Sequence, residues 1–301
     1  MVSPAAKRIS RPRLHLVASF RLLLPLLAAR HEAVVAATTS PAVSFSFDFS
    51  NISAARLEAD LRFQGDATSL PANGPVNLTS SSLGSRGRMS YAHPVQLYDN
   101  TSGRHEVASF STNFTFAIVL LNDRCRGDGM AFFLAYYPSP EPPRYSNGGD
   151  LGLIGGEGVT GQTIATGKDR FVAVEFDTFS RSYDPSYDHI GIDINTVREA
   201  NYTKVLPSNT TLEGSMTSYI SFNSSTRMLV ASLWFHDHPS VDPVQVSAQL
   251  PDLVTLLPPQ VAVGFSAATG ECIELHQIMS WSFNSTLALV KKGIRSFMQL
   301  Y

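Results

Sequence analysis

Charged residues are scarce in this 301-residue chain, since Asp, Glu, Lys and Arg together make up 16% of it and the formal net charge is -2. Binding to nucleic acid needs a clustered excess of Lys and Arg that neutralises phosphates. The composition offers no extended basic surface of that kind. We therefore expect no nucleic-acid partner.

Long apolar runs are absent after residue 37. No stretch there approaches the roughly 20 apolar residues that a membrane-spanning helix needs. Three basic residues, Lys291, Lys292 and Arg295, interrupt the C-terminal segment TLALVKKGIRSFMQLY. The sequence beyond residue 37 thus predicts a soluble chain without a membrane span.

Signatures of several enzyme classes are also missing. The segment GFSAA at residues 264–268 lacks the second glycine of a G-x-S-x-G motif, so the sequence offers no serine-nucleophile elbow. It contains no phosphate-binding glycine loop and no kinase signature. These absences argue against serine hydrolases and phosphoryl-transfer enzymes.

The first 37 residues are basic and apolar in a pattern typical of targeting segments. Four basic residues precede position 14, no acidic residue occurs before Glu32, and the apolar run LLLPLLAA covers residues 22–29. This pattern predicts a signal peptide over residues 1–37, and hence secretion. Arg21 interrupts the apolar character, so a disordered basic tail or an organelle transit peptide stays open as an alternative.

Eight N-x-S/T sequons support passage through the secretory route. In a secreted protein we expect these asparagines to be candidate sites of N-glycosylation. The asparagines are Asn51, Asn77, Asn100, Asn113, Asn201, Asn209, Asn223 and Asn284.

From about residue 42 the chain consists of short alternating runs of Val, Ile, Phe, Thr and Ser bounded by Gly, Pro, Asn or Asp. No helical period is sustained over four turns, and the best helical candidate is the short tail after Asn284. Many strands without intervening helices must pack as two sheets to bury their apolar faces, so we predict an all-β, single-domain jelly-roll β-sandwich. The predicted strands cover residues 43–49, 108–120, 130–137, 170–179, 218–223, 228–235, 261–267 and 278–283.

The stretch FVAVEFDTFSRSYDPSYDHIGID concentrates candidate metal ligands. Side chains alternate along a strand, so Glu175 and Asp177 project from the same side. Two adjacent carboxylates repel unless a cation, a shared proton or water neutralises them. Asp184 and His189 follow closely enough for a loop to return them. The pattern indicates a metal site or an acid/base pair.

A glycoside hydrolase is one interpretation of this pair. Retaining glycosidases use two carboxyl groups about 5–5.5 Å apart, and Glu175 and Asp177 would be the acid and the nucleophile. Jelly-roll hydrolases carry their alternating acids as E-x-D-x-x-E or a close variant. Phe179 and Ser180 stand where the third acid would be, which makes this alternative the weaker one.

Six segments together resemble the legume-type (L-type) lectin domain, which occurs in seed lectins and in the outer portion of plant lectin receptor-like kinases. They are FSFDFSN, GRMSYAHPVQLYDNTSG leading into VASFSTNFTF, GDGMAFFLA, GGDLGLI, VAVEFDTF with the later DP and HIGIDIN, and VAVGFSAATG with the later ELHQIMSWSF. The segments occur in the family's order. The resemblance implies a lectin domain over residues 42–286 and a C-terminal tail at residues 287–301.

By this resemblance, Glu175, Asp177, Asp184 and His189 correspond to the family's transition-metal ligands, usually for manganese. Mixed carboxylate and imidazole ligation suits such an ion better than it suits calcium. Asp177 and Asp184 resemble carboxylates that also reach an adjacent calcium, to which Phe179 would lend its backbone carbonyl. Calcium takes six to eight oxygen ligands, so each missing ligand matters.

Arg181 departs from the family pattern. The family normally has an Asn four residues after the shared Asp177, and that Asn gives its side-chain oxygen to calcium and its amide to the sugar. A guanidinium has five donors and no acceptor, so it cannot coordinate a cation and would repel one nearby. Ser180 or Ser182 in a shifted loop would be a poor substitute. The sequence predicts an intact transition-metal half and a doubtful calcium half.

The resemblance also implies a sugar site built from loops around the calcium position. Asp128 resembles the carboxylate that accepts hydrogen bonds from two sugar hydroxyls, and it commonly follows a cis peptide, here after Gly127. Gly149 resembles the glycine whose backbone N–H meets the sugar, and Phe179 would offer its ring face. The predicted carbohydrate-binding residues are Asp128, Gly149, Phe179, Arg181, Glu271 and Cys272. The last two lie in the variable loop that tunes specificity.

The sequence contains two cysteines, Cys125 and Cys272. In a secreted chain such a pair suggests a disulfide. The resemblance places both cysteines in loops beside the same sugar pocket, so a bridge would tie those loops together. Two free, buried thiols are the alternative.

These expectations describe a secreted, non-enzymatic carbohydrate-recognition module with glycans or glycoproteins as partners. Manganese or a similar transition metal is the expected cofactor, and calcium is doubtful. Secretion would place the protein in the apoplast, with the vacuole as an alternative, and a homodimer is compatible with the resemblance. A lectin-like protein-interaction module without sugar binding stays open because Arg181 weakens the calcium half.

Overall fold

The computed structural model describes residues 39–69, 73–99, 106–121, 125–155, 163–198 and 202–288. The predicted signal peptide, the sequons at Asn100 and Asn201, and residues 289–301 of the predicted tail lie outside this part of the chain. The proposed signal peptide and tail therefore stay predictions.

The described residues form mostly strands, with two short α-helices, α1 (Ala54–Asp60) and α2 (Leu253–Leu256). Single 3-10 turns occur at Phe49–Asn51, Gly148–Asp150 and Gly167–Asp169. The strands are β1 (Thr39–Asp48), β2 (Leu61–Gly65), β3 (Val76–Asn77), β4 (Arg86–Tyr91), β5 (Val95–Gln96), β6 (Tyr98–Asp99), β7 (Glu106–Val107), β8 (Ser109–Leu120), β9 (Gly129–Tyr136), β10 (Phe171–Asp177), β11 (His189–Ile194), β12 (Lys204–Val205), β13 (Gly214–Asn223), β14 (Met228–Phe235), β15 (Val244–Gln249), β16 (Gln260–Ala268) and β17 (Glu274–Ala288).

Two antiparallel sheets contain most of these strands. The back sheet runs in the order β1-β17-β8-β13-β14-β15, with β3 also pairing β17. The front sheet runs in the order β12-β11-β10-β9-β16-β4-β2, with β5 also pairing β16. Each of the eight segments predicted to be strands overlaps a strand of these sheets, so the all-β prediction is confirmed.

The residues after Asn284 are a correction to the sequence analysis, because they continue β17 to Ala288 and form no helix up to that point. β17 pairs along its length with β1, ending at the pair Thr39 and Ala288. Pairing with a neighbouring strand satisfies the backbone donors and acceptors that a short helix would otherwise satisfy. The strand therefore extends two residues past the predicted domain end at residue 286.

Aromatic side chains join the two sheets at their facing surfaces. Phe114 of the back sheet lies edge-on to Phe265 of the front sheet with ring centroids 4.8 Å apart. The ring centroids of Trp281 and Phe265 lie 5.0 Å apart, and those of Phe116 and Phe176 lie 4.9 Å apart. All five residues are at most 1% exposed. Aromatic residues of this size supply a large share of buried apolar area, which makes this interface the main core.

A second apolar cluster lies on the other face of the front sheet. Phe133 of β9 and Phe171 of β10 are buried there with Leu151, Leu153 and Val197. Their burial packs the loop after the 3-10 turn Gly148–Asp150 onto this face of the front sheet. This second cluster thereby positions the loops that form the candidate site.

No helix among the described residues combines the length and the apolar character needed to cross a membrane.

Candidate functional site

The candidate metal ligands converge at the junction of β10 and β11. Asp177 ends β10, His189 begins β11, and the two residues are direct cross-strand partners. Glu175 lies two residues before Asp177 and thus on the same face of the strand. Ligand atoms of Glu175, Asp177 and His189 lie within 4.8 Å of one another, and all three residues are buried.

The surrounding residues orient His189 and Glu175. Because a carbonyl can only accept, Nδ1 of His189 is the donor to the Ser186 carbonyl at 3.1 Å. Nε2 therefore faces Oε1 of Glu175 at 3.4 Å. Gly191 lies opposite Glu175 in the sheet, and a methyl group there would overlap the Glu175 carboxylate. The Ser186 carbonyl thus fixes the orientation of the imidazole through Nδ1 and leaves Nε2 directed at the ligand cluster. Second-shell partners of metal-binding histidines act in the same way.

The cluster concentrates negative charge inside the protein. Burial, followed by repulsion from Glu175 and Asp184, raises the pKa of Asp177 well above its usual value. Burial and the charge of Glu175 also raise the pKa of Asp184, against the hydrogen bond from the Arg181 backbone. Burial opposes protonation of His189, but the hydrogen bond and charge of Glu175 raise its pKa overall. Such a site is stabilised by a bound cation.

A divalent transition metal fits this set of residues. Two carboxylates and an imidazole lie within reach of one another, and Asp184 lines the same small pocket as Glu175 and His189. Borderline divalent ions accept this mixture of oxygen and nitrogen ligands. A bound ion would neutralise the buried carboxylates and join the end of β10 to the start of β11.

The neighbouring calcium position does not fit its expected ion. Oδ1 of Asp177 accepts a hydrogen bond from the Phe179 N–H at 2.7 Å, and Oδ2 of Asp184 accepts one from the Arg181 N–H at 2.7 Å. The loop thus uses oxygens of both carboxylates for its own backbone. Arg181 adds a permanent positive charge, which disfavours a second cation.

The Arg181 side chain lies over the predicted sugar-binding groups. Its Nη2 donates to Oδ1 of Asp128 at 2.7 Å, across 53 residues of sequence. The guanidinium carbon lies 5.2 Å from the centre of the Phe179 ring. A methyl group at Gly149 would overlap Nε and Cδ of Arg181, and one at Gly148 would lie 2.8 Å from its Nη2. Both glycines therefore leave the space that this side chain fills.

Asp128 lies beneath Arg181 and follows the expected cis peptide from Gly127. Its side chain is 2% exposed, whereas that of Arg181 is 36% exposed. Burial raises the pKa of Asp128 to about 6, although the charge and hydrogen bond of Arg181 oppose this shift. Oδ2 of Asp128 has no hydrogen-bond partner among the described residues. The carboxylate that was predicted to meet a sugar is therefore paired with an arginine and covered by it.

A cleft of about 790 Å³ opens above this pair. Among the predicted carbohydrate-binding residues, Gly149, Phe179, Arg181 and Glu271 line it. Two predicted residues do not line the described cleft, because Asp128 lies beneath Arg181 and the side chain of Cys272 is buried in a disulfide. Nine further residues line the described cleft without having been predicted to bind carbohydrate, among them Tyr145, Asn147, Tyr183 and Arg198. Tyr145 and Asn147 lie in the loop after β9, Tyr183 lies in the loop after β10, and Arg198 follows β11. None of the four carries a motif that could have identified it.

Two covalent or ionic links hold the loop before β9. Cys125 and Cys272 form a disulfide with Cα atoms 5.3 Å apart, within the range that disulfides require. Arg126 makes two hydrogen bonds of 2.6 Å to the carboxylate of Asp188, which precedes β11. The loop that carries Asp128 is thereby tied to both neighbouring loops of the cleft.

The disulfide can be tested in the purified protein. We expect non-reducing peptide mapping to recover the peptides of Cys125 and Cys272 as one linked species, because the structure places both cysteines at bonding distance. Alkylation of the denatured, unreduced protein should label neither cysteine. Quantitative labelling of both would contradict the bridge.

A buried polar network below the cleft was also missed. Glu274 and His276 are both fully buried, with Nε2 of His276 3.1 Å from Oε1 of Glu274. Thr178, next to Asp177, donates to the same Glu274 oxygen, and Thr79 lies 3.0 Å from Nδ1 of His276. Lone polar residues in a strand segment gave no sequence signal for this network. It connects β17 to the end of β10.

Six of the eight predicted sequons lie in the described part of the chain. The side chain of Asn77 is half-buried, and its Oδ1 accepts a hydrogen bond from Gln277 at 2.8 Å. The remaining five are exposed to solvent, which glycosylation requires. These five are Asn51, Asn113, Asn209, Asn223 and Asn284.

Known proteins similar to this chain agree with the fold. Residues 44–296 match the family profile of the legume lectin domain. The chain is 38% identical to a seed lectin of Vatairea macrocarpa over 257 residues, covering 82% of this chain and 97% of that protein. It is 40% identical to a bark leucoagglutinin of Maackia amurensis, covering 76% of this chain and 79% of that protein.

Solved structures give the same result. The basic winged bean lectin, solved with Tn-antigen, matches with a TM-score of 0.68 and 34% identity over 81% of this chain and 99% of its own. Peanut lectin, solved with a 9mer peptide, matches with a TM-score of 0.69 and 33% identity over 83% of this chain and 100% of its own. These matches confirm the jelly-roll β-sandwich.

The chain belongs to the legume lectin family. It is a lectin-like carbohydrate-recognition module of a family that is non-enzymatic. The hydrolase alternative is thereby excluded, and the structure gives a physical reason. Glu175 and Asp177 are 5% and 4% exposed, so they do not flank an open cleft in which a glycosidic bond could lie between them.

Proposed function

We propose that the protein is a secreted lectin that binds glycans or glycoproteins in the cleft above Asp128. One observation carries this proposal. The cleft of about 790 Å³ forms where loops from distant parts of the sequence meet, directly beside the buried cluster of candidate metal ligands. A concave site with a few convergent polar groups is the usual form of a ligand-binding pocket.

Metal dependence is part of the proposal. Glu175, Asp177, Asp184 and His189 would hold manganese or a similar transition ion, which would fix the loop between β10 and β11. Phe179, Arg181 and Tyr183 lie on this loop and line the cleft. Ordering the loop would therefore order one wall of the cleft. Calcium is not part of the proposal. That ion needs six to eight oxygen ligands, and Arg181 offers no acceptor at the position where the family has an Asn.

Secretion to the apoplast follows from the predicted signal peptide and the sequons, and the vacuole is the alternative destination. A homodimer is compatible with the proposal. Light scattering during size-exclusion chromatography would measure the assembly. Mature N-terminal sequencing of the protein from the extracellular fluid would test the cleavage near residue 37.

A second function is favoured by one specific observation. Arg181 covers both Asp128 and Gly149, which are the groups expected to bind a monosaccharide. In the alternative, the same cleft would bind a protein partner and no sugar. The similarity to a peanut lectin solved with a 9mer peptide makes a peptide ligand a reasonable comparison in the same assay.

A glycan array tests the two functions against each other. The purified protein would be applied after metal removal, after reloading with manganese, and after reloading with manganese and calcium. We expect reproducible binding to a defined set of glycans once manganese is present, because the ion orders the loop that lines the cleft. Absence of glycan binding under all three conditions would leave the protein-interaction alternative in place.

A further inference from the structure

The cleft exposes hydrogen-bond donors at the position where a carboxylate was expected. Asp128 is buried, and its Oδ1 is bonded to Arg181. The Arg181 side chain is 36% exposed and lines the cleft. A guanidinium has five N–H donors, and Arg181 uses one of them on Asp128 within the described residues. The other N–H groups make no hydrogen bond among the described residues, and the exposed ones face the cleft.

Arg181 also supplies a positive charge at the place where the family would hold calcium. Its contacts reach Asp128 below, the Phe179 ring beside it, and the space left by Gly149. Its backbone N–H closes the loop onto Asp184. Together with the Cys125–Cys272 disulfide and the Arg126–Asp188 pair, these contacts hold the loops of the cleft without a second metal ion.

We propose that Arg181 replaces calcium in this protein and makes the cleft a calcium-independent site for a saccharide that carries a carboxylate, such as a uronic acid. The inference rests on the proposed carbohydrate-binding function. A carboxylate is the natural partner of a guanidinium, because two parallel N–H donors match its two oxygens. A neutral sugar would have to displace Arg181 before its hydroxyls could donate to Asp128.

A second guanidinium supports this ligand class. Arg198 lines the same cleft and stacks over the Tyr183 ring at 4.9 Å. Each of the two arginines is paired with a neighbouring acidic residue. Nη2 of Arg181 lies 2.7 Å from Oδ1 of Asp128, and Nη2 of Arg198 lies 3.8 Å from Oδ1 of Asp150. Glu271 adds one exposed carboxylate at the rim. It would shape where an acidic sugar binds.

Calorimetry with two matched sugars tests the proposal on the unmodified protein. Protein stripped of metal and reloaded with manganese alone would be titrated with methyl glucuronoside and with methyl glucoside, which differ at one carboxylate. We expect the glucuronoside to bind at least about tenfold more tightly. Adding calcium should leave both affinities unchanged. The same comparison would then be made with methyl galacturonoside and methyl galactoside, so that the stereochemistry of the sugar ring does not decide the outcome.

Two variants and a control assign the effect to Arg181. Arg181→Lys keeps the charge but loses the planar fork, so it should weaken uronoside binding by at least about tenfold. Arg181→Asn should remove the preference for the acidic sugars. Arg62→Gln on the exposed surface of β2, outside the cleft, should change neither affinity. Circular dichroism would verify that each variant folds.

The possible outcomes separate this inference from the proposed function. A preference for acidic glycans in the absence of calcium supports both the role of Arg181 and the proposed carbohydrate-binding function. Binding only to neutral glycans, or binding that requires calcium, overturns the inference and leaves a sugar-binding lectin. No binding to any acidic or neutral glycan on the array overturns the inference together with the proposed function.

Discussion

The variant Glu175→Gln/Asp177→Asn should lose transition-metal binding, with an affinity drop of more than about 1000-fold. Both substitutions keep the size of the side chain but remove a charged ligand. Changes to outer-shell partners alone cost about 10–100-fold in metal affinity, so the loss of two direct ligands should exceed that range. Isothermal titration with manganese measures the change.

Thermal unfolding provides an independent readout of the same variant. Saturating the unmodified protein with metal at about 100 times its Kd should add about 2.7 kcal/mol to the free energy of unfolding. The variant should gain nothing from added metal. Without metal, it should be at least as stable as the unmodified protein, because it lacks the buried charge and the carboxylate repulsion that together raise the pKa of Asp177.

A charge-matched control uses Glu58→Gln/Asp242→Asn, which changes two exposed acids outside the cluster. This control should retain the full metal response. A metal response in the Glu175→Gln/Asp177→Asn variant equal to that of the unmodified protein would show that the buried cluster is not the metal site.

The second large effect is expected for Arg181→Asn. The substitution removes a donor-only cation and adds an amide oxygen beside Asp177 and Asp184. We expect calcium affinity to rise at least about 100-fold, from no detectable binding to the submillimolar range common in extracellular calcium modules. Uncovering Asp128 and Gly149 should at the same time raise the affinity for neutral sugars at least about tenfold.

The stability of Arg181→Asn should become dependent on calcium. In the unmodified protein, Nη2 of Arg181 lies 2.7 Å from Oδ1 of Asp128, and the Asp128 side chain is 2% exposed. Removal of one partner leaves a buried carboxylate without its counter-charge, which destabilises the folded state. Added calcium should restore part of that loss. Equal stability with and without calcium, combined with unchanged sugar affinity, would contradict the role given to Arg181.

The strand pattern and the ligand cluster could be predicted from the sequence because both depend on short-range regularity. Alternating apolar residues mark strands such as β1 and β8, and the spacing of Glu175 and Asp177 places them on one face. The short helix α1 was not predicted, because seven residues are too few to establish a helical period. Its N-cap, Ser53, which accepts from the Arg56 N–H, is a local helix signal that does not depend on a helical period.

The contacts of Arg181 could not be predicted in the same way. Its partner Asp128 lies 53 residues away in another loop, and the direction of the side chain depends on how both loops pack. The sequence identified Arg181 as a missing calcium ligand. It did not reveal that the guanidinium would fill the space beside Gly149 and cover the expected sugar contact. Long-range pairs such as Arg126 with Asp188 were missed for the same reason.

Metal content after reconstitution tests the central claim most directly. The unmodified protein would be stripped of metal, incubated with excess manganese and calcium together, freed of unbound ions, and analysed by mass spectrometry for both elements. We predict that each chain retains a transition ion in the cluster of Glu175, Asp177, Asp184 and His189 and retains no calcium. Stoichiometric retention of calcium beside the transition ion would contradict the account, because it would mean that Arg181 has not taken the place of that ion.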